Sequence, residues 1–134
     1  MKNSNGLVLV VVGKRAKVCA CGQSVFFVNL ESNSIFASEA ITEKGRVYKF
    51  DDASCMIKYI KSNDDIVYKS LYVNDYTTPH KMILVEKGFF LKGGTISAPM
   101  GGNIATFSND EIRKVFHAKL KAQRLTWDEI YNSY

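Results

Sequence analysis

Two stretches, Val18-Cys19-Ala20-Cys21-Gly22-Gln23 and Ser97-Ala98-Pro99-Met100-Gly101-Gly102, each place sulfur side chains next to a glycine that permits a tight turn. The first carries two thiols, and the second carries one thioether on a Pro-Met-Gly turn, where Pro restricts φ and Gly frees it. Thiolates and thioethers are soft donors that suit Cu(I), whereas hard cations prefer oxygen. We therefore expect the fold to bring the two turns together around one metal ion.

Length and composition indicate a single globular domain over residues 1–134. Of the 134 residues, 46% are hydrophobic and 23% are charged, so the chain can bury a core without disulfides. The three cysteines are an odd number, and Cys19 and Cys21 are spaced at i and i+2, where an unstrained mutual disulfide is difficult to close. The thiols are therefore expected to serve chemistry or metal binding. No apolar run is long enough for a membrane-spanning helix.

The positive charge is concentrated before the first cysteine. The net charge is +5, and four basic residues with no acid among them precede that cysteine: Lys2, Lys14, Arg15 and Lys17. The remainder of the chain is close to neutral and shows no basic face with interleaved aromatics, so no nucleic-acid partner is expected. The basic residues nearest Cys21 favour its thiolate form.

Residues 1–17 allow two interpretations. Met1-Lys2-Asn3 and the apolar run over residues 7–12 have the order of a signal peptide, but no small-residue cleavage site or lipobox cysteine follows. The same run has the composition of a buried strand. The segment is therefore either a signal remnant or an extra strand.

The middle of the chain predicts a hairpin followed by a helix. Residues 35–41 and 46–50 are rich in β-branched and aromatic side chains and flank Thr42-Glu43-Lys44-Gly45, which has a glycine at a turn position. Asp51-Asp52 then offers short carboxylates that can accept the first amide hydrogens of a helix running to about Ser62.

The second part repeats this order of strands and then a helix. Residues 82–85 and 89–91 predict a hairpin around Glu86-Lys87-Gly88, and Ser108 with Glu111 three residues on predicts a capping box that opens the next helix. The fold class is therefore α+β. We expect two similar halves, about residues 18–63 and 64–134, each a small antiparallel sheet with one packed helix.

Several ordered motifs resemble the NosL family. They are Cys21-Gly22, Val47-Tyr48-Lys49-Phe50-Asp51-Asp52 with Ser54-Cys55-Met56, Tyr72-Val73-Asn74-Asp75-Tyr76, Ala98-Pro99-Met100-Gly101-Gly102-Asn103-Ile104-Ala105-Thr106-Phe107 and Thr126-Trp127-Asp128-Glu129-Ile130. The resemblance implies a Cu(I)-binding accessory chaperone for nitrous oxide reductase, which is not an enzyme and has a copper-receiving partner. It also implies a lipoprotein in the periplasm or otherwise outside the cytoplasmic membrane, although this sequence shows no clear targeting segment or lipid anchor.

The resemblance implies Cys21 and Met100 as copper ligands, with two departures from the family pattern. That pattern is Cys-x-x-Cys-Gly/Asn-Met, whereas this chain has Cys-x-Cys and places Gln23 where the family has a ligand methionine. An amide is a poor Cu(I) ligand. Either Cys19 or Cys55 replaces the lost sulfur, or the chain binds copper more weakly, or it has lost the metal.

Three further side chains are candidates near such a site. Met56 lies in the apolar stripe of the predicted helix, which favours core packing, and Cys55 beside it fits a small buried hydrophobe and a site-lining thiol equally well. His80 follows Pro79 in a loop and could complete a copper shell with a neutral imidazole, although a surface position is the simpler interpretation.

Two other functions compete with copper carriage. A structural zinc site would use Cys19, Cys21, Cys55 and a histidine, but the usual Cys-x₂-Cys spacing is absent. A thiol redox protein would place Cys-x-x-Cys at the start of a helix, whereas these thiols lead into a predicted strand.

Overall fold

The structure, a computed structural model, describes residues 35–134 and two short strands nearer the N-terminus. These strands are β1 (Lys17–Val18) and β2 (Phe26–Phe27), which pair antiparallel. The predictions for the segment before β1 and for the candidate ligands Cys19, Cys21 and Gln23 lie outside the described residues.

The first main sheet has four antiparallel strands in the order β4-β3-β5-β6. Their bounds are β3 (Ser38–Thr42), β4 (Val47–Phe50), β5 (Tyr68–Asn74) and β6 (Met82–Leu84). The predicted β3–β4 hairpin is confirmed, and Gly45 in its turn has a φ of +89°, a backbone conformation that favours glycine. The short strand β1 lies against β4.

Helix α1 (Ala53–Ser62) covers one face of the first sheet and packs on β3 and β4. Asp52 caps this helix as predicted, since its carboxylate accepts a hydrogen bond of 2.7 Å from the Ser54 N–H. Met56 has no exposed surface and packs with Phe50 in the main hydrophobic core. The packing interpretation of this methionine therefore agrees with the structure.

The second main sheet has three antiparallel strands in the order β8-β7-β9. Its elements are β7 (Phe89–Lys92), β8 (Ile104–Phe107), β9 (Gln123–Leu125), helix α2 (Asp110–Leu120), which packs on β7 and β8, and helix α3 (Trp127–Asn132), which follows β9. The predicted α+β fold of two antiparallel sheets with packed helices is confirmed. None of the helices in the described part of the chain has the length and hydrophobicity needed to cross a bilayer.

The predicted hairpin of residues 82–85 with 89–91 is wrong. Strand β6 pairs with β5 in the first sheet, and β7 belongs to the second sheet. A 3₁₀ turn over Val85–Lys87 separates them, and the buried Val85 anchors this turn in the core. The change of sheet therefore falls between β6 and β7, later in the chain than the expected boundary of the halves near residue 63.

The predicted capping box of Ser108 and Glu111 is also wrong. Asn109 caps α2 and accepts hydrogen bonds from the N–H groups of Glu111 and Ile112, so the helix begins one residue later than predicted. Ser108 instead donates to the carboxylate of Asp75 at 3.3 Å. The sequence pattern fits both alternatives because Ser and Asn are both good caps.

Two buried side chains of opposite charge lie on directly opposed residues of β3 and β4 in the first sheet. Glu39 is 3% exposed and faces Lys49, which is also buried. Burial raises the pKa of Glu39 to about 7, with the charge of Lys49 acting against that rise, and burial lowers the pKa of Lys49 to about 8. Glu39 Oε1 has no hydrogen-bond partner within the described part of the chain.

The raised pKa of Glu39 predicts a pH dependence of stability. Between the unfolded pKa of 4.5 and the folded pKa of about 7, the folded state binds more protons, so its stability falls as pH rises through this window. Glu39→Gln should match the wild type near about pH 4 and exceed it near about pH 7.5, by on the order of 2 kcal/mol. Urea unfolding across this range measures the difference. The exposed Glu43→Gln is the control, and a parallel pH profile for wild type and Glu39→Gln would contradict the prediction.

Candidate functional site

The predicted turn that carries Met100 is present in the connection between β7 and β8. The Gly101 N–H donates to the Ala98 carbonyl at 3.1 Å, which closes a turn with Pro99 and Met100 at its centre. Gly101 has a φ of +80°, which favours glycine. Met100 is partly exposed, and its buried part packs on the main core. We call residues 97–102 the Met100 loop.

The buried carboxylate of Asp52 fixes this loop to the start of α1. Its Oδ2 accepts hydrogen bonds from the backbone N–H groups of Met100 and Gly102, each at 3.1 Å. Its Oδ1 accepts from the N–H of Ser54 at 2.7 Å and from the Ser54 hydroxyl at 2.6 Å. Asp52 is 1% exposed, so four donors surround a carboxylate that is shielded from water. The predicted cap is thus also the support of the Met100 loop.

Gly102 lies so close to this carboxylate that no side chain fits. A Cβ at this position would lie 2.6 Å from Asp52 Oδ1 and 2.6 Å from Ser54 Oγ. The Gly102 carbonyl accepts a hydrogen bond of 3.1 Å from the ammonium of Lys92, at the end of β7. Gly102 is therefore held at both its N–H and its carbonyl.

Asn103 closes the base of the Met100 loop. Its side-chain carbonyl accepts from the Ala98 N–H at 2.9 Å, and its backbone carbonyl accepts from the Gly93 N–H at 2.9 Å. Asn103 adopts a φ of +53°, a left-handed conformation that asparagine tolerates better than most residues. These bonds give the loop a defined shape.

The other candidate ligands occupy different environments. Cys55 is 1% exposed and lies in the main core, in the first turn of α1 after Asp52, and Met56 beside it is fully buried. Neither side chain faces solvent, where an ion would arrive.

His80 is exposed in the connection between β5 and β6, with a φ of +66°. This connection lies at the same end of the first sheet as Asp52, because Ser38 pairs with both Phe50 and Val73. Two intervening strands still separate β4 from β6, which amounts to roughly 10–15 Å. His80 therefore shares an end of the sheet with the Met100 loop without adjoining it.

Met100 is the one predicted sulfur ligand that the described residues place on a partly exposed loop. Within residues 35–134, no cluster of three or more His, Cys, Asp or Glu side chains could hold a metal ion. The two oxygens of Asp52 are already engaged by four donors, so this carboxylate is not offered as a hard ligand. A soft ion at this loop would need its further sulfur ligands from elsewhere in the chain.

Two supporting residues were not found by sequence reasoning. Lys92 contacts the Met100 loop through Gly102, and its ammonium also donates to the Tyr134 hydroxyl at 2.9 Å. Neither residue belongs to a ligand motif, and 42 residues separate them in the chain. The sequence feature that could have indicated Lys92 is its position at the end of a strand, directly before a glycine-rich turn.

Asp52→Asn is expected to lower the free energy of unfolding by about 2–3 kcal/mol, because an amide nitrogen would then face the Met100 and Gly102 N–H donors. Denaturant unfolding at neutral pH measures this loss. Asp51→Asn is the matched control. Burial and the neighbouring Asp52 charge raise the pKa of Asp51, so its replacement should be neutral or slightly stabilising. Equal effects of the two substitutions would contradict the proposed support.

Gly102→Ala should cost about 1–3 kcal/mol of stability, because the new methyl group overlaps Asp52 and Ser54. Gly101→Ala is the comparison, since a Cβ there meets no atom within 4 Å and only the positive φ is unfavourable, at about 1 kcal/mol. Thermal unfolding of both variants measures the two losses of stability. A Gly101 variant that is less stable than the Gly102 variant would contradict the close contact with Asp52.

Comparisons with known proteins agree with this fold. The NosL family model matches residues 15–134 of the chain. A search of curated proteins found no match. The crystal structure of the copper chaperone NosL from Shewanella denitrificans is similar, with a TM-score of 0.60 and 19% sequence identity, and the match covers 69% of this chain and 76% of that chain. The structural likeness establishes a shared fold, and because the family model spans most of the sequence, this chain belongs to the NosL family.

Proposed function

We propose that this chain binds Cu(I) through thiolate and thioether ligands and carries it to a copper-receiving protein. The observation that carries the proposal is the Met100 loop, in which Asp52 accepts hydrogen bonds from the backbone of a partly exposed methionine and of Gly102. Membership of the NosL family and the likeness to a copper chaperone support it. The prediction that the chain is not an enzyme is confirmed by this family assignment.

The chemistry of the Met100 loop favours a soft ion. The thioether of Met100 is a neutral, polarisable donor, and Asp52, the carboxylate that contacts the loop, has both oxygens occupied by N–H and O–H donors. An ion that prefers oxygen ligands therefore gains little at this loop. Cu(I), which accepts low coordination by sulfur, fits the available donors.

The thiolate side of the proposed site is Cys21, with Cys19 as a second sulfur. Strand β1 lies against β4, and β4 leads directly to Asp52. Cys21 is three residues beyond Val18 at the end of β1, a reach of at most about 10 Å. This arrangement supports a common ion between Cys21 and Met100. Gln23 contributes at most a weak ligand, Cys55 would need to leave the core to bind, and Met56 serves packing in this proposal.

The proposed partner is a copper-receiving protein outside the cytoplasmic membrane, with nitrous oxide reductase or its maturation machinery as the candidate that the family resemblance suggests. Transfer would proceed by ligand exchange, with an acceptor ligand replacing one sulfur at a time. No turnover is involved.

Anaerobic titration of the reduced protein with Cu(I) under a competing chelator tests the proposal. The wild type should retain one Cu(I) per chain, Cys21→Ser should lose it, and Met100→Ala should weaken it about tenfold, equivalent to about 1.4 kcal/mol. Met82→Ala is the matched control, because Met82 is also partly exposed but lies on β6, away from the Met100 loop.

Three outcomes would contradict the copper proposal. Equal losses of Cu(I) affinity in Met82→Ala and Met100→Ala would show that the Met100 loop does not contribute to the copper site. Preferential retention of Zn(II) in a parallel titration would favour the structural zinc alternative. Binding of neither ion, together with disulfide reductase activity, would favour the thiol redox alternative.

A further inference from the structure

We propose that Lys92 and Tyr134 form a latch that fixes the Met100 loop and thereby sets how fast its thioether releases a bound metal. The inference rests on the proposed function for its consequence, but the latch itself is a property of the protein without metal. The two residues act as positioning residues, since neither is a candidate ligand.

The first step is the attachment of the loop. Asp52 holds the Met100 loop through two backbone N–H groups, and both belong to residues on or next to the turn. The Gly102 carbonyl needs a separate donor, and the Lys92 ammonium supplies it at 3.1 Å. Gly102 is thus held between a carboxylate and an ammonium, which are charged hydrogen-bond partners and therefore strong ones.

The second step is what holds the lysine. Lys92 is partly buried, and its ammonium donates to the Tyr134 hydroxyl at 2.9 Å while lying 5.0 Å from the centre of the same ring. A long lysine side chain has many rotamers, and these two contacts with Tyr134 restrict them. Removal of the Tyr134 hydroxyl would leave the charge of Lys92 in place but reduce its preference for the orientation that reaches Gly102.

The third step is what holds the tyrosine. Tyr134 packs against the main core, and its backbone carbonyl accepts a hydrogen bond of 2.8 Å from Lys61 on α1. Lys61 also donates to the Tyr131 carbonyl at 2.6 Å. The segment after β9 is therefore tied to the same helix whose start carries Asp52. The loop is bound on one side through Asp52 and on the other through Lys92 and Tyr134, both ultimately to α1.

The test combines amide hydrogen exchange in the metal-free protein with the rate of Cu(I) loss to a chromogenic chelator. Tyr134→Phe and Lys92→Met should each speed exchange at the Gly102 amide and speed Cu(I) release by about three- to tenfold. Lys92→Arg, which keeps the charge and can still donate, should stay closer to the wild type than Lys92→Met. The double variant that combines Lys92→Met with Tyr134→Phe should release Cu(I) no faster than Lys92→Met alone, because the two residues act through one contact with Gly102.

Lys69→Met is the matched control, because it also removes one positive charge but lies exposed on β5, outside the contacts that hold Lys92 and Tyr134. Loss of a positive charge by itself would slow the release of a cation, so faster release in Lys92→Met separates the latch from simple charge repulsion. Thermal unfolding of every variant checks that the fold is intact.

The outcomes separate the latch from the proposed function. Unchanged Gly102 exchange in Tyr134→Phe and Lys92→Met would overturn the latch, whatever copper does. Faster exchange with unchanged Cu(I) release would overturn its role in metal release. A wild type that retains no Cu(I) would refute the proposed function, and the exchange measurement would still decide whether the latch exists.

Discussion

The buried carboxylate of Asp52 accepts four hydrogen bonds from two parts of the chain, the start of α1 and a loop 48 to 50 residues further on. An ionised carboxylate that is removed from water is costly unless hydrogen-bond donors replace its hydration. Here the N–H groups of Met100 and Gly102 and the N–H and hydroxyl of Ser54 are those donors. The bonds that compensate the charge also determine where the Met100 loop lies. Charge burial and loop position are therefore one constraint.

This constraint shapes the chemistry available at the loop. Each Asp52 oxygen already has two donors, and Asp52 is almost completely buried, so it cannot meet an incoming ion at the surface. Asp52 thus organises the backbone of the loop, while Met100 supplies the loop's sulfur side chain and is itself partly exposed. A single neutral sulfur does not hold an ion by itself, so the proposed function requires further ligands from another segment of the chain.

Local pattern was sufficient to predict much of the fold. The β3–β4 hairpin, the cap at Asp52 and the turn at Met100 are each determined by a few neighbouring residues with strong conformational preferences. The errors concern choices that local pattern leaves open. Residues 82–85 fit a hairpin with 89–91 as well as a pairing with β5, and the burial of Val85 decides between them. Asn109 and Ser108 are both able caps, and the bond from Ser108 to Asp75 decides that choice.

The candidate site shows the same division between local and distant information. Met100 and Asp52 were recognisable separately, one as a sulfur on a turn and one as a helix cap. Their contact was not predictable, because the two residues are 48 positions apart and the groups that donate to the Asp52 carboxylate are backbone N–H groups, which every non-proline residue possesses. The requirement for glycine at position 102 follows only once Asp52 and Ser54 are seen beside it.

A carrier must bind its metal firmly and still surrender it, and a site divided between two segments suits both needs. In the proposed function, thiolates near residue 20 provide most of the binding energy, and Met100 adds a neutral thioether from a separately anchored loop. Because the loop keeps its shape through Asp52, Asn103 and Lys92, the thioether can leave the ion and return without refolding. An acceptor then needs to displace one weak ligand first, and that first exchange exposes the ion for the next. The rigidity of the loop and the lability of its ligand therefore support the same transfer.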